Sequence, residues 1–187
     1  CLTTIIFGFF FAHDLSNFIA SRTLKLLHLD DTGGIRDTEY EKADEAWRNG
    51  KHIEAIQLLR EYVRNHPREI HALVRIADYQ RTGIPAAGVE RNPAAAGRTY
   101  LKIATTYGHP SAQFALGIMN IKGEGVKQNP QQGLKWLIAA ARKRHAPSEA
   151  YLGDLYWEGK LVRLDRTRAV MWYILAQQSA RPEENPE

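Results

Sequence analysis

Between residues 38 and 180 the apolar side chains recur with the spacing of amphipathic helices. Tyr40, Ala43, Ala46 and Trp47 share one face, and Asn49-Gly50 interrupts the run. Ile53, Ala55, Ile56, Leu58, Leu59, Tyr62 and Val63 then form a second apolar stripe. It stops before Pro67, because proline cannot continue a helix. Two helices joined by so short a turn predict an αα-hairpin over residues 38–67. Upstream, Asp30-Asp31-Thr32-Gly33-Gly34 is turn chemistry within a linker over 28–37, and Asp37 or Thr38 is placed to cap the first helix.

From residue 68 the pattern becomes periodic. A shift of 36 residues sets Gly117 on Gly153, Gly123 on Gly159, Val126 on Val162, Asn129 on Asp165, Trp136 on Trp172 and Ala140 on Ala176. The same offset relates an earlier, weaker copy to this one through Gly97 and Gly133, Tyr100 and Trp136, and Ala104 and Ala140. Its first helix pairs Ala72 with Ala112 and Gly83 with Gly123 at an offset of 40. That difference predicts four extra residues in the loop 84–92.

Each copy reads as helix, turn, helix. Helix A (111–122) brings Ala112, Leu116 and Gly117 to its partner, and close packing must offset the roughly 1 kcal/mol that glycine costs a helix. Gly123-Glu124-Gly125 ends it, and Val126 plugs the turn into the core. Asn129 caps helix B (130–143), with Pro130 in the first helical position. Leu134, Trp136, Leu137, Ala140 and Ala141 form its buried side. One hairpin cannot cover its own apolar face, so neighbouring copies must stack.

These residues carry a resemblance. Ala43, Ala55 and Pro67, spaced by 12, resemble one tetratricopeptide repeat over 38–67. Ala112-Gln113-Phe114-Ala115-Leu116-Gly117, Gly123-Glu124-Gly125-Val126, Lys135-Trp136 and Ala139-Ala140-Ala141 resemble the Sel1-like repeat, as do Ala150-Tyr151-Leu152-Gly153, Gly159, Asp165, Ala169, Trp172 and Ala176. The family's usual tyrosine, alanine and glycine are replaced by Asn120, Gly133 and Arg144, and Leu161 replaces the second loop glycine. The implied fold is an all-α, right-handed α-solenoid: one tetratricopeptide-like hairpin, about three Sel1-like repeats over 68–180, and an apolar N-terminal helix. Gly83-Ile84-Pro85, Tyr100, Thr106-Tyr107-Gly108, Pro110 to Phe114, Gln131-Gln132 and Lys135-Trp136-Leu137 are similar to the rhizobial periplasmic exopolysaccharide regulators. That resemblance implies a regulatory role, since such regulators repress a sensor kinase by binding its periplasmic domain. Residues 1–67 do not follow it.

The N-terminal 27 residues differ from the rest. Residues 2–12 are an uninterrupted apolar run, resumed at Phe18, Ile19 and Ala20. Eleven residues are too few to span a bilayer, which takes roughly 20. The run reads as the trimmed end of a membrane anchor, as a signal-peptide core, or as the sequence following a lipid-modified Cys1, with a buried helix of an ordinary soluble fold as the remaining alternative. In the membrane readings Arg22 and Lys25 would sit at headgroup level. Cys1 is the single cysteine, so no internal disulfide forms and a cysteine-based zinc site is excluded. Charge is asymmetric: residues 91–181 hold 14 Lys/Arg against 5 Asp/Glu, whereas residues 1–90 hold 11 against 13. A basic C-terminal half favours acidic partners.

Candidate chemistry is sparse. Gly123-Glu124-Gly125-Val126 lacks the preceding strand, third glycine and Lys-Ser/Thr of a phosphate loop. His66 and His71 are five apart around Pro67, a poor metal spacing, and His109 and His145 occupy inter-repeat turns where polar residues cap or face water. Glu39, Glu41, Asp44 and Glu45 suit the positive end of a helix. Arg142-Lys143-Arg144-His145 is the densest basic run, but Trp136 and Trp172 are core positions and unavailable for stacking on bases. The expectation is a protein without enzymatic activity, cofactor, metal, nucleic acid or small-molecule substrate.

The function expected is a protein-interaction scaffold of the bacterial envelope, an adaptor or regulator on the periplasmic side of the inner membrane. Its partner would be a membrane protein or complex, with the N-terminal segment as membrane contact. An accessory structural subunit tethered by that segment is the competing reading. Candidate contact residues on the A helices, away from the small-residue packing positions, are Arg75, Tyr79, Gln113, Asn120, Asp154 and Trp157. The tail 181–187 reads as a solvated exit, leaving Met171, Tyr173 and Ile174 for another helix or subunit to cover.

Overall fold

The computed structural model describes residues 38–180. The expected apolar segment 1–27 with Cys1, the linker 28–37 and the tail 181–187 lie outside the described residues. Eight α-helices are found among the described ones: α1 (Thr38–Arg48), α2 (His52–Asn65), α3 (Ile70–Thr82), α4 (Pro93–Thr106), α5 (Pro110–Lys122), α6 (Pro130–Ala141), α7 (Ala146–Glu158) and α8 (Arg166–Ser179). The described residues divide into two compact units, one ending at Tyr62 and one beginning at Val63.

In the first unit, α1 and α2 fold back on each other across Asn49-Gly50. Ala43 and Ala46 of α1 and Ala55, Ile56, Leu59 and Tyr62 of α2 are buried. The small side chains allow close approach, and the Tyr40 and Tyr62 rings meet at 5.4 Å. Ile53, expected within the apolar stripe, is instead 57% exposed, because it falls in the first turn of α2 on the side away from α1.

The second unit is three hairpins, α3/α4, α5/α6 and α7/α8, with α4 packed on α5 and α6 on α7. Its core falls in two clusters. One gathers Ala77, Tyr100, Ile103, Leu116 and Met119, with Val126 and Trp136 against it; the other gathers Leu137, Leu152 and Leu155, with Phe114, Ile118 and Trp172 against it. A and B helices approach closely through Gly117 and Gly133. A Cβ on Gly117 would lie 2.7 Å from the Leu137 side chain, and one on Gly133 would lie 2.6 Å from the Gly117 carbonyl oxygen.

Each B helix starts at a capped residue. Asn92, Asn129 and Asp165 accept the backbone N–H three residues on, at 3.0, 3.0 and 2.9 Å. These caps correct the expected register. Asn92 and Asn129 are 37 apart, not 36, so Ala96, Tyr100 and Ala104 correspond to Gly133, Leu137 and Ala141, all buried. Tyr100 is therefore not the counterpart of Trp136. With α3 and α5 offset by 40, the loop 84–92 holds three extra residues rather than four. It is ordered by reciprocal hydrogen bonds between Ile84 and Val89 (2.8 and 3.1 Å), with Val89 buried beneath it. From α6 to α8 the offset is 36.

Candidate functional site

The six candidate contact residues all lie on the A helices α3, α5 and α7, but the structure does not gather them into one cluster. Arg75 and Tyr79, four apart on α3, engage each other: Arg75 Nε donates to Tyr79 Oη at 2.7 Å, with the guanidinium 5.7 Å from the ring centroid. Gln113 turns inward and is 6% exposed. Asn120 is half-buried, and its Nδ2 donates to the Leu116 carbonyl of its own helix at 2.8 Å. Asp154 and Trp157 are exposed and, at a separation of three, share a face of α7. The Asp154 carboxylate accepts the Tyr173 hydroxyl at 2.8 Å, and Arg166 lies 5.4 Å over the Trp157 ring.

Asp154, Trp157, Tyr173 and Arg166 thus form a patch on the last hairpin that mixes an aromatic plane, a cation and a carboxylate, a composition suited to protein recognition. Tyr156 and Arg168 lie on the same hairpin and were not singled out from the sequence; the Arg168 Nη1 donates to the Tyr156 hydroxyl at 3.3 Å. Nor was the contact between Asp78 and Tyr100. The signal that reveals it is the tyrosine recurring at 100 and 173, each with an aspartate on the preceding A helix.

The inter-repeat histidines take a different role from the one expected. His109 and His145 occupy the N-cap positions of α5 and α7, yet neither side chain caps its helix. Their rings pack instead. His109 meets His71 edge-on at 5.2 Å, and His145 lies 5.4 Å from Phe114, with Nδ1 2.8 Å from Ser148 Oγ and Nε2 3.4 Å from Ser111 Oγ. Burial pulls both imidazoles below their ordinary pKa; nearby His71 and Lys143 add to this at His109, and His109 adds to it at His145. Lys143 Nζ donates to the Gly108 carbonyl, tying the end of α6 to the turn before α5.

Hairpins closed by small residues, αL glycines in the turns and Asn/Asp-capped B helices define the class, and the chain belongs to the Sel1 repeat family, whose pattern matches residues 70–105, 110–145 and 146–176. Among solved structures it is similar to a Sel1 repeat protein from Oxalobacter formigenes (TM-score 0.63, 27% identity, covering 75% of this chain and 55% of that one). It is also similar to a protective antigen of uropathogenic Escherichia coli displaying an SLR fold (TM-score 0.61, 28% identity, covering 75% and 30%). In sequence it is similar to the exopolysaccharide production negative regulators of Rhizobium leguminosarum bv. viciae and Rhizobium meliloti (strain 1021), 37% identical to each over 95 residues. The matched segment is 50% of this chain but 36% and 35% of those relatives, so the chain spans about a third of their length.

Proposed function

We propose that this chain is a non-catalytic scaffold of the bacterial envelope that binds a protein partner through the A-helix surface of its repeats, as an adaptor or regulator. The observation that carries this reading is the solvent-facing Asp154–Trp157 patch on α7, where an aromatic ring 48% exposed lies under the Arg166 guanidinium beside an exposed carboxylate. Exposed tryptophan braced by arginine is costly to leave in water and is typical of binding hot spots. Arg75, Tyr79 and Asn120 extend the contact surface along α3 and α5, and buried Gln113 supports it from beneath. Similarity to regulators of exopolysaccharide production supports a regulatory role and an envelope location. Among the described residues no helix is long and apolar enough to cross a membrane.

A second reading is an accessory subunit built permanently into a membrane complex, and exposed apolar side chains on α8 favour it. Val170 and Tyr173 of α8 correspond to Leu134 and Leu137, which α7 helps to cover on α6, yet both are exposed. Purification of the tagged full chain from gently solubilised membranes separates the two. A regulator gives a salt-sensitive, substoichiometric partner that Asp154→Arg or Trp157→Ala releases. A subunit gives a stoichiometric partner that survives salt and dilution. Recovery of one partner by the wild type and both variants alike counts against the A-helix surface.

A further inference from the structure

The three B helices of the second unit, α4, α6 and α8, contain no aspartate or glutamate. Every carboxylate between residues 63 and 180 lies on an A helix or in a connecting segment; Asp78 and Asp154 reach a B helix only through the hydroxyls of Tyr100 and Tyr173, and the cap Asp165 lies 3.6 Å from Arg168. The same helices carry exposed cations: Arg98 and Lys102 on α4, Lys135 on α6, and Arg142 just past its end.

The register set by the caps lines up the outward positions of these helices in rows. One row is Leu101, Ile138 and Ile174. Leu101 is 48% exposed and Ile174 50% exposed, whereas Ile138 is half-buried and packs against the second core cluster. The row on one side is Arg98, Lys135 and Met171; on the other it is Thr105, Arg142 and Gln178, all exposed. Positions 98, 101 and 105 are three and four apart and so share one helix face, as do their counterparts on α6 and α8. Exposed aliphatic side chains on α4 and α8 thus stand among the cations of the three helices, with no anion on the helices that carry them.

A surface that is both aliphatic and cationic matches the two components of a bilayer interface: apolar side chains enter the headgroup–acyl boundary while basic ones lie among anionic headgroups. A nucleic acid would be met by cations with stacking aromatics, whereas Tyr100 is buried, Trp136 and Trp172 pack against the core, and the exposed aromatics of the B helices are Tyr107 at the end of α4 and Tyr173, whose hydroxyl is bound to the Asp154 carboxylate. An acidic protein would account for the cations but not for Leu101 and Ile174. We propose that the B-helix layer docks on an anionic lipid bilayer, with Leu101 and Ile174 inserted and Arg98, Lys135 and Arg142 over the phosphates. This goes beyond the A-helix reading and uses other residues, none of them Asp154, Trp157, Tyr173 or Arg166.

The test is flotation of the full chain with two vesicle types, phosphatidylcholine alone and phosphatidylcholine with about one-third phosphatidylglycerol. The apolar run 2–12 contributes to both, so the readout is the difference between them. Partitioning to the anionic vesicles is expected to be about tenfold stronger or more and to weaken with salt, since each basic residue near an anionic surface adds severalfold. Arg98→Glu with Lys135→Glu should remove most of that difference, leaving neutral-vesicle binding unchanged. Circular dichroism checks the fold, and Lys135→Gln with Arg142→Gln gives the same direction should the reversal not fold. Leu101→Ser with Ile174→Ser should also lower anionic-vesicle binding. Equal partitioning to both vesicles, or charge variants that bind as the wild type, overturns the proposal. So does a serine pair that keeps full binding, which would leave a merely cationic surface suited to an acidic protein or nucleic acid.

Discussion

Tyr100 donates its hydroxyl to Asp78 at 2.6 Å, and Tyr173 makes the same contact with Asp154 at 2.8 Å two repeats later. In the intervening repeat the corresponding residues are Leu137 and Ile118, both apolar. One helix-to-helix contact is thus solved twice by a tyrosine–carboxylate hydrogen bond and once by aliphatic packing. The first copy is buried on the tyrosine side and the last is exposed. Tyr100→Phe should therefore cost about 1.5–3 kcal/mol, the net worth of a hydrogen bond to a charged acceptor. Tyr173→Phe should cost markedly less. Urea unfolding of both variants checks the ranking, and equal losses would contradict it.

The middle hairpin should be the least tolerant of added volume. Ala96 and Ala169 occupy in α4 and α8 the position that Gly133 holds in α6, and all three are buried. At Gly133 a Cβ would strike the Gly117 carbonyl, which is backbone and cannot swing aside. Gly133→Ala is predicted to destabilise by roughly 1–3 kcal/mol, the usual cost of overpacking, despite the better helix propensity of alanine. A variant as stable as the wild type would show that α5 and α6 can separate freely.

Arg144 is predicted to be replaceable with a gain. It follows α6 at φ 57°, the left-handed region, where Gly108 (φ 62°) serves the preceding turn. An L side chain there costs roughly 1 kcal/mol relative to glycine. Arg144→Gly should raise the melting temperature, and a lower one would mean that the arginine makes a compensating contact.

Stability should fall in mild acid. His109 and His145 are held below their ordinary pKa of 6.5 in the fold, mainly by burial. The unfolded chain binds these protons more readily, so the contribution is complete above about pH 6.5 and is lost as pH falls towards the folded values. Melting temperatures between about pH 8 and pH 5 should decline for the wild type and decline less for His109→Gln with His145→Gln. At the alkaline end the sign reverses. Burial and then the hydrogen bond to Asp78 raise the Tyr100 hydroxyl well above its ordinary value of 10.0, so its contribution holds below that pH and is lost as pH rises further. A double variant with the wild-type acid slope would contradict the histidine assignment.

Much of this was legible in the chain itself. Apolar periodicity located the helices, and asparagine followed by proline marked the starts of α4 and α6. The register of the first repeat was not, because matching Tyr100 to Trp136 by aromatic character favoured 36. The Asn92 and Asn129 caps, also in the sequence, carry the physical constraint: a cap fixes where a helix begins, whereas an aromatic residue can occupy several positions around it. Gln113 was misplaced towards solvent for a related reason. A glutamine reads as a surface residue, and its burial depends on how α5 is rotated by Gly117 and Leu116 packing on neighbouring helices. The exposure of Asp154 and Trp157 was legible because α7 repeats α5. Its complement on α8, Tyr173 and Arg166, required the folded hairpin.

The central claim is that the A-helix surface of α7 holds a protein partner. A photo-crosslinking amino acid placed at Trp157 of the full chain, expressed in its native host, tests it most directly, with the same probe at Thr105 on the B-helix side as the control. The account predicts one discrete protein adduct from position 157, absent at 105 and abolished by Asp154→Arg. The absence of any adduct at 157, or the same adducts from both positions, would contradict it.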